Sequence, residues 1–180
     1  MMKKAIILPF FVVLTMANAQ VAIGKTSISG SSSLMEFAGN TPSNQLTDIE
    51  TTNTKGIILP GVSTVPSPVN SQNGTFIFDR QSGKNKFYEN GSWKDMSDEG
   101  SSIGMVPLTG SEVGNGVIIG SDSTTAKGVL IFESSDKALV LPHIKSPHIY
   151  VLKPYQGMMC YDTESNSIAV YDGINWNFWK

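Results

Sequence analysis

Cysteine is almost missing. The chain of 180 residues carries one, Cys160, so no internal disulfide can staple the fold. Histidine is nearly as scarce, with only His143 and His148. A zinc site needs three or four ligands with supporting groups behind them. Two histidines in a segment bounded by Pro142 and Pro147 read instead as surface residues, and Cys160, inside an apolar run, as an inert buried thiol. Charge is sparse, 13 Lys and Arg against 15 Asp and Glu. With no basic cluster, the composition argues against nucleic acid and anionic membrane surfaces as partners. Catalytic signatures are lacking too. No Gly-x-Ser-x-Gly elbow occurs. Gly24-Lys25-Thr26 resembles the end of a phosphate loop, but Ala19 stands where its first glycine belongs and no strand–loop–helix context follows. No helical periodicity is evident. Apolar residues come in runs of three to five bounded by Gly, Pro, Asn and Ser, which is the pattern of an all-β protein.

What is present begins with a leader. Met1 to Lys4 is basic, Ala5 to Met16 is apolar apart from Pro9 and Thr15, and Ala17-Asn18-Ala19 offers small residues at the two positions a signal peptidase reads. Residues 1–19 are therefore expected to be a cleaved signal helix, with Gln20 first in the mature chain; a retained anchor is the alternative. No Cys follows the cleavage site, so lipid attachment is not expected. The implied location is the periplasm, the cell surface or the medium. Later apolar runs are far short of the roughly 20 residues a membrane helix needs, so no span is expected after cleavage. Losing Lys3 and Lys4 takes the basic count from 13 to 11 against 15 acidic residues.

The strongest internal signal is a duplication. Phe78-Asp79 and Tyr88-Glu-Asn-Gly-Ser-Trp93 correspond to Tyr161-Asp162 and Tyr171-Asp-Gly-Ile-Asn-Trp176, each pair 83 positions apart. Upstream, Val21-Ala-Ile23-Gly24 is echoed by Val117-Ile-Ile119-Gly120, Leu34 to Phe37 by Val129 to Glu133, and Gly56 to Pro60 by Ala138 to Pro142. The first half is longer by about fourteen residues, and the surplus falls between Gly39 and Asn53, where few apolar residues occur and a long loop is expected. The chain divides into two β units, 20–97 and 110–180, joined by a linker at 98–109. Each unit is expected to end in a three-stranded antiparallel meander, its second turn marked by Asn90-Gly91 or Asp172-Gly173. Pro60-Gly61 is expected to stop the strand before it, and Thr64 to Asn73 to run as an extended linker.

Two patterns raise the question of a ligand. Asp162, Glu164 and Asn166 alternate as in a calcium loop, but Ser167 and Gly173 stand where its Gly and bidentate Glu belong. A turn in which Asp and Asn bond their own backbone explains the same residues, so no metal, cofactor or catalytic residue is assigned. Trp179, Trp93, Tyr88 and Tyr171 could offer stacking faces to sugars, although small β units usually bury such rings. On strand alternation, Ile174, Trp176 and Phe178 face one way and Trp179 the other, which makes Trp179 the ring expected at the surface or in a contact between chains.

The order of motifs is distinctive: a signal, Val-Ala-Ile-Gly, Lys55-Gly-Ile-Ile-Leu-Pro60, Gly157-Met-Met-Cys-Tyr-Asp162, then Val170-Tyr-Asp-Gly-Ile-Asn-Trp176. In these the chain resembles a group of exported repeat proteins of Bacteroidetes-type bacteria, whose repeats are similar to the head regions of phage tail fibres and surface adhesins. The resemblance implies a non-enzymatic structural or adhesion role at the cell envelope and carries no functional residue with it. A carbohydrate-binding β module is the alternative, and a hydrolase using His143 or His148 a more distant one. Units of about 75 residues without disulfides have thin cores. They are expected to pack on each other or on other chains, for which a homotrimer is one solution, and the partners would be further copies, surface proteins or glycans.

Overall fold

The computed structural model describes residues 20–28, 30–37, 51–106, 110, 114 and 116–180. The expected signal segment 1–19, most of the expected loop after Ala38 and part of the linker lie outside the described residues. Strands dominate: β1 (Val21–Ile23), β2 (Ser33–Phe37), β3 (Ile57–Ile58), β4 (Gly61–Val62), β5 (Phe76–Asp79), β6 (Lys84–Glu89) and β7 (Ser92–Asp95) in the first half. The second half has β8 (Val117–Ile119), β9 (Leu130–Phe132), β10 (Ala138–Leu139), β11 (His143–Ile144), β12 (Met158–Asp162), β13 (Ser167–Tyr171) and β14 (Trp176–Trp179). The fold is all-β. A short helix α1 (Pro147–Tyr150) and a 3-10 turn (Pro68–Asn70) are the exceptions among the described residues, and neither has the length for a readable period. The 3-10 turn lies inside the stretch expected to be extended, with Pro68 opening it.

The two meanders form as their sequences direct. β5, β6 and β7 pair antiparallel in order, as do β12, β13 and β14. The first turn of each needs a left-handed residue at the same place, Gly83 (φ 67°) in one copy and Asn166 (φ 53°) in the other. Asparagine tolerates that conformation, but at Gly83 a Cβ would come within 2.6 Å of the Gly100 carbonyl carbon, so only glycine fits. The second turns differ from each other. Asn90 and Gly91 both take positive φ, and Glu89 pairs Ser92 across a two-residue hairpin. In the second copy Tyr171 pairs Trp176 across a four-residue loop. There Asp172 accepts from the Ile174 and Asn175 N–H groups, which rounds the turn out and leaves Ile174 outside β14.

The prolines act differently from expectation. Strand structure breaks at Pro60 but resumes at once, in another sheet. β3 pairs antiparallel with β12 in the second half, whereas β4 runs parallel to β5 in the first. Proline has no N–H to give, yet its carbonyl is used: Pro60 accepts from Phe78 N–H and Pro142 from Tyr161 N–H, the same bond in both copies. β11 accordingly runs parallel to β12 as β4 does to β5.

Strand exchange goes both ways. β3, from the first half, extends the second meander's sheet, and Leu59 N–H donates to Gly157 C=O. β10, from the second half, runs parallel to β2, which is itself parallel to β1. Ala138 and Val140 N–H donate to the Ser32 and Met35 carbonyls. β8 and β9 form a parallel ribbon of their own. Core packing follows the exchange. One cluster joins Leu59 and Met96 to Met159 and Val170, with Phe76, Phe87, Leu141 and Ile168 against it. The other face of the second sheet packs Met158, Cys160 and Ala169 on Ile144, with Val151, Tyr171 and Trp176. Burying each large apolar side chain is worth roughly 1.5–3 kcal/mol, and in the first cluster neither half provides that burial alone.

Candidate functional site

The four aromatic candidates fall into two places. Tyr88 and Trp93 are cross-strand neighbours on β6 and β7, their rings edge to face at 5.2 Å. Tyr88 is 5% exposed. Its hydroxyl donates to Pro68 C=O at 3.2 Å, and the Trp93 indole N–H donates to Pro66 C=O at 2.8 Å. Both polar tips thus pin the Pro66–Pro68 segment down over the sheet. Tyr171 holds the matching place on β13 and lies 5.5 Å from Trp176.

Trp179 is 39% exposed and stands at the seam between the halves. Its indole N–H donates to Met96 C=O at 2.6 Å, and its ring meets Phe87 edge to face at 5.8 Å. Next to it, exposed Phe178 meets His148 at 5.9 Å. The seam continues through polar contacts. Asn85, wholly buried, donates through its side-chain amide to Tyr171 C=O, while its Oδ1 has no partner. Ser101 N–H donates to Asp172 C=O at 2.8 Å. Thr51 and Asn53 both donate to His143 C=O.

Asp162, the first carboxylate of the suspected calcium loop, is a turn staple. Asp162 Oδ1 accepts from Ser146 N–H at 2.9 Å and Glu164 N–H at 3.1 Å, and Oδ2 from Ser165 N–H and hydroxyl. Burial pushes its pKa up, but these four donors more than offset that and hold it below the ordinary 3.8. Asp79, its counterpart, accepts from Gln81 N–H and the Ser82 hydroxyl. Glu164 points away toward Lys145, at 4.0 Å. Among the described residues no three His, Cys, Asp or Glu side chains gather closely enough to hold a metal.

His143 packs its ring on Tyr161 at 5.2 Å, and burial lowers its pKa from 6.5, favouring the neutral imidazole. Cys160 is fully buried on β12, where burial, helped by the Asp162 charge, raises the thiol to about 12. At neutral pH it is a small apolar filler.

The residue pair that sequence reasoning passed over is Lys25 and Glu36. Lys25 Nζ lies 2.8 Å from Glu36 Oε2, both side chains almost wholly enclosed, and Gly30 N–H donates to Oε1. The signal was available, because Ser121 and Ile131 occupy these positions in the second copy. In comparisons with known proteins, no family model, curated protein or solved structure matches the chain.

Proposed function

We propose that this is an exported, non-enzymatic structural or adhesion protein of the bacterial envelope, of the tail-fibre and adhesin-head kind that its motifs resemble. One observation carries the reading. The groups best suited to chemistry, Asp162, Asp172, Trp93, Trp179 and the Asn85 side-chain N–H, spend hydrogen bonds holding turns, pinning the Pro66–Pro68 segment or tying one half of the chain to the other. Such a molecule is built to keep a shape while presenting its surface. Whole-cell protease treatment tests it. The role expects N-terminal sequencing to read from Gln20 and the chain to be cleaved on intact cells; full-length chain recovered only from cytosol would overturn it.

Carbohydrate binding is the second reading, and the exposed Phe178 ring beside His148 favours placing it there. Phe178→Ala would then abolish glycan binding while the fold persists, since that ring is already 43% exposed.

A further inference from the structure

The duplication allows each strand to be compared with its own copy, and the comparison shows where a partner is missing. The registers make Met35 on β2 equivalent to Leu130 on β9, because Val21 pairs with the first and Val117 with the second. The outer edge of β2 is covered by β10, where Val140 N–H donates to Met35 C=O. The outer edge of β9 has no paired strand among the described residues. Bonds from Val117 N–H to Val129 C=O and from Glu133 N–H to Ile119 C=O show that residues 129, 131 and 133 face β8. Leu130 and Phe132 therefore turn their backbone groups outward. Side chains follow: Met35 is 5% exposed but Leu130 42%, with Val117 and Val129 exposed beside it. A two-stranded parallel ribbon with an apolar open edge is an unfinished sheet.

The matching piece is β3. It is the copy of β10, since Leu59-Pro60 corresponds to Leu141-Pro142, which makes Ile58 equivalent to Val140. On β3, Leu59 donates to β12, so Ile57 and Leu59 face that strand and Gly56 and Ile58 face away from it. Those are the copies of Ala138 and Val140, the two residues by which β10 binds β2. The strand type thus has two faces with separate uses, one for a β12-type strand and one for a β2-type strand. Among the described residues β3 employs only the first, and its Ile58 is 44% exposed.

We infer that the outer edge of β3 in one copy of this chain pairs with the outer edge of β9 in another copy. The pairing is parallel, Ile58 N–H donates to Leu130 C=O, and it reproduces between molecules the β10–β2 pairing within each. The remaining vacancy fits the same rule. The outer edge of β5 at Phe76 is unpaired among the described residues where its copy, Met159, is covered by β3, and β10 still has its Leu139 face to give. Joining different edges is a heterologous contact, which gives a closed ring where the rotation between copies closes and an open filament where it does not.

Sedimentation of the purified full chain tests this, and the outcome does not depend on the compartment in which the protein works. The wild-type chain is expected to form oligomers. Ile58→Pro removes an N–H that makes no bond among the described residues, and Leu130→Lys places a charge on the open edge. Each should weaken association by about tenfold or more with circular dichroism and melting nearly unchanged. Val69→Lys, at a 94% exposed site elsewhere, should associate like wild type. If Ile58→Pro should unfold, Leu130→Lys decides alone. A wild-type chain that stays monomeric at every soluble concentration overturns the proposal, whether a segment of the same chain or nothing covers the edge. Undiminished association of a folded Leu130→Lys variant overturns it as well.

Discussion

Replacing Asp162 with alanine should cost far more than replacing Asp79, although the two occupy the same place in the repeat. Asp162 accepts four hydrogen bonds, and one comes from outside its own turn: Ser146 N–H, buried, with Ser146 itself at φ 46° just ahead of α1. Without the carboxylate that N–H has no acceptor, which costs about 1–3 kcal/mol. The turn donors can reach water and add up to roughly another 1 kcal/mol. Asp79 takes its hydrogen bonds from its own turn, through Gln81 and Ser82, and its pairing with Lys86 is long at 4.0 Å, so its loss should cost about 1 kcal/mol. For a chain of this size each kcal/mol moves the melting temperature by roughly 2–4 °C. At a total of about 3 kcal/mol, Asp162→Ala should thus melt about 6–12 °C below wild type, and Asp79→Ala about 2–4 °C below. The pH dependence adds a second signature. A carboxylate whose folded pKa lies below the unfolded value stabilises fully above that value, and the contribution is lost as pH falls from about 3.8 through the folded pKa. Asp162→Asn should lose part of this acid sensitivity. Equal costs for the two alanine variants in urea titrations, or an Asp162→Ala variant within about 0.5 kcal/mol of wild type, would refute the reasoning.

Other outcomes follow from the buried groups. Glu36→Gln should destabilise by about 3–5 kcal/mol because it removes the carboxylate charge 2.8 Å from the enclosed Lys25 ammonium. The double change Lys25→Ser with Glu36→Ile, which imports the second copy's residues, should recover most of that in a denaturant titration. Cys160, with its thiol raised to about 12 by burial, should resist alkylating reagents at pH 8 in the native chain and react fully in denaturant. Trp179→Phe should keep the Phe87 contact, lose the bond to Met96, and cost about 1 kcal/mol in chemical unfolding.

Local instructions were legible before the structure. The meanders, the Asn90-Gly91 hairpin and the correspondence of copies all rest on residues close in sequence, where a turn residue and alternation suffice. The parallel partners β4 and β11 were not legible, because two-residue strands carry no period and each follows a proline that reads as a stop. Exchange of β3 and β10 was hidden for a related reason. Their apolar runs say that they are buried strands but not in which sheet, and that choice is made by packing across the whole chain. At the candidate site, the aromatic types were readable and their settings were not. Nothing near Trp179 in sequence announces Met96 or Phe87, its partners on the far side of the linker. Lys25 and Glu36 stood out only when set against Ser121 and Ile131.

The central claim is that the two halves are interlocked by exchanged strands, and native-state hydrogen exchange measures it directly. The amides that make the exchange, Leu59 to Gly157 and Val140 to Met35, should be protected and should open with the same free energy as core amides of β13 such as Val170. Rapid exchange at Leu59 and Val140 while Val170 stays protected would contradict it, for it would mean that each half holds its core without the other's strand.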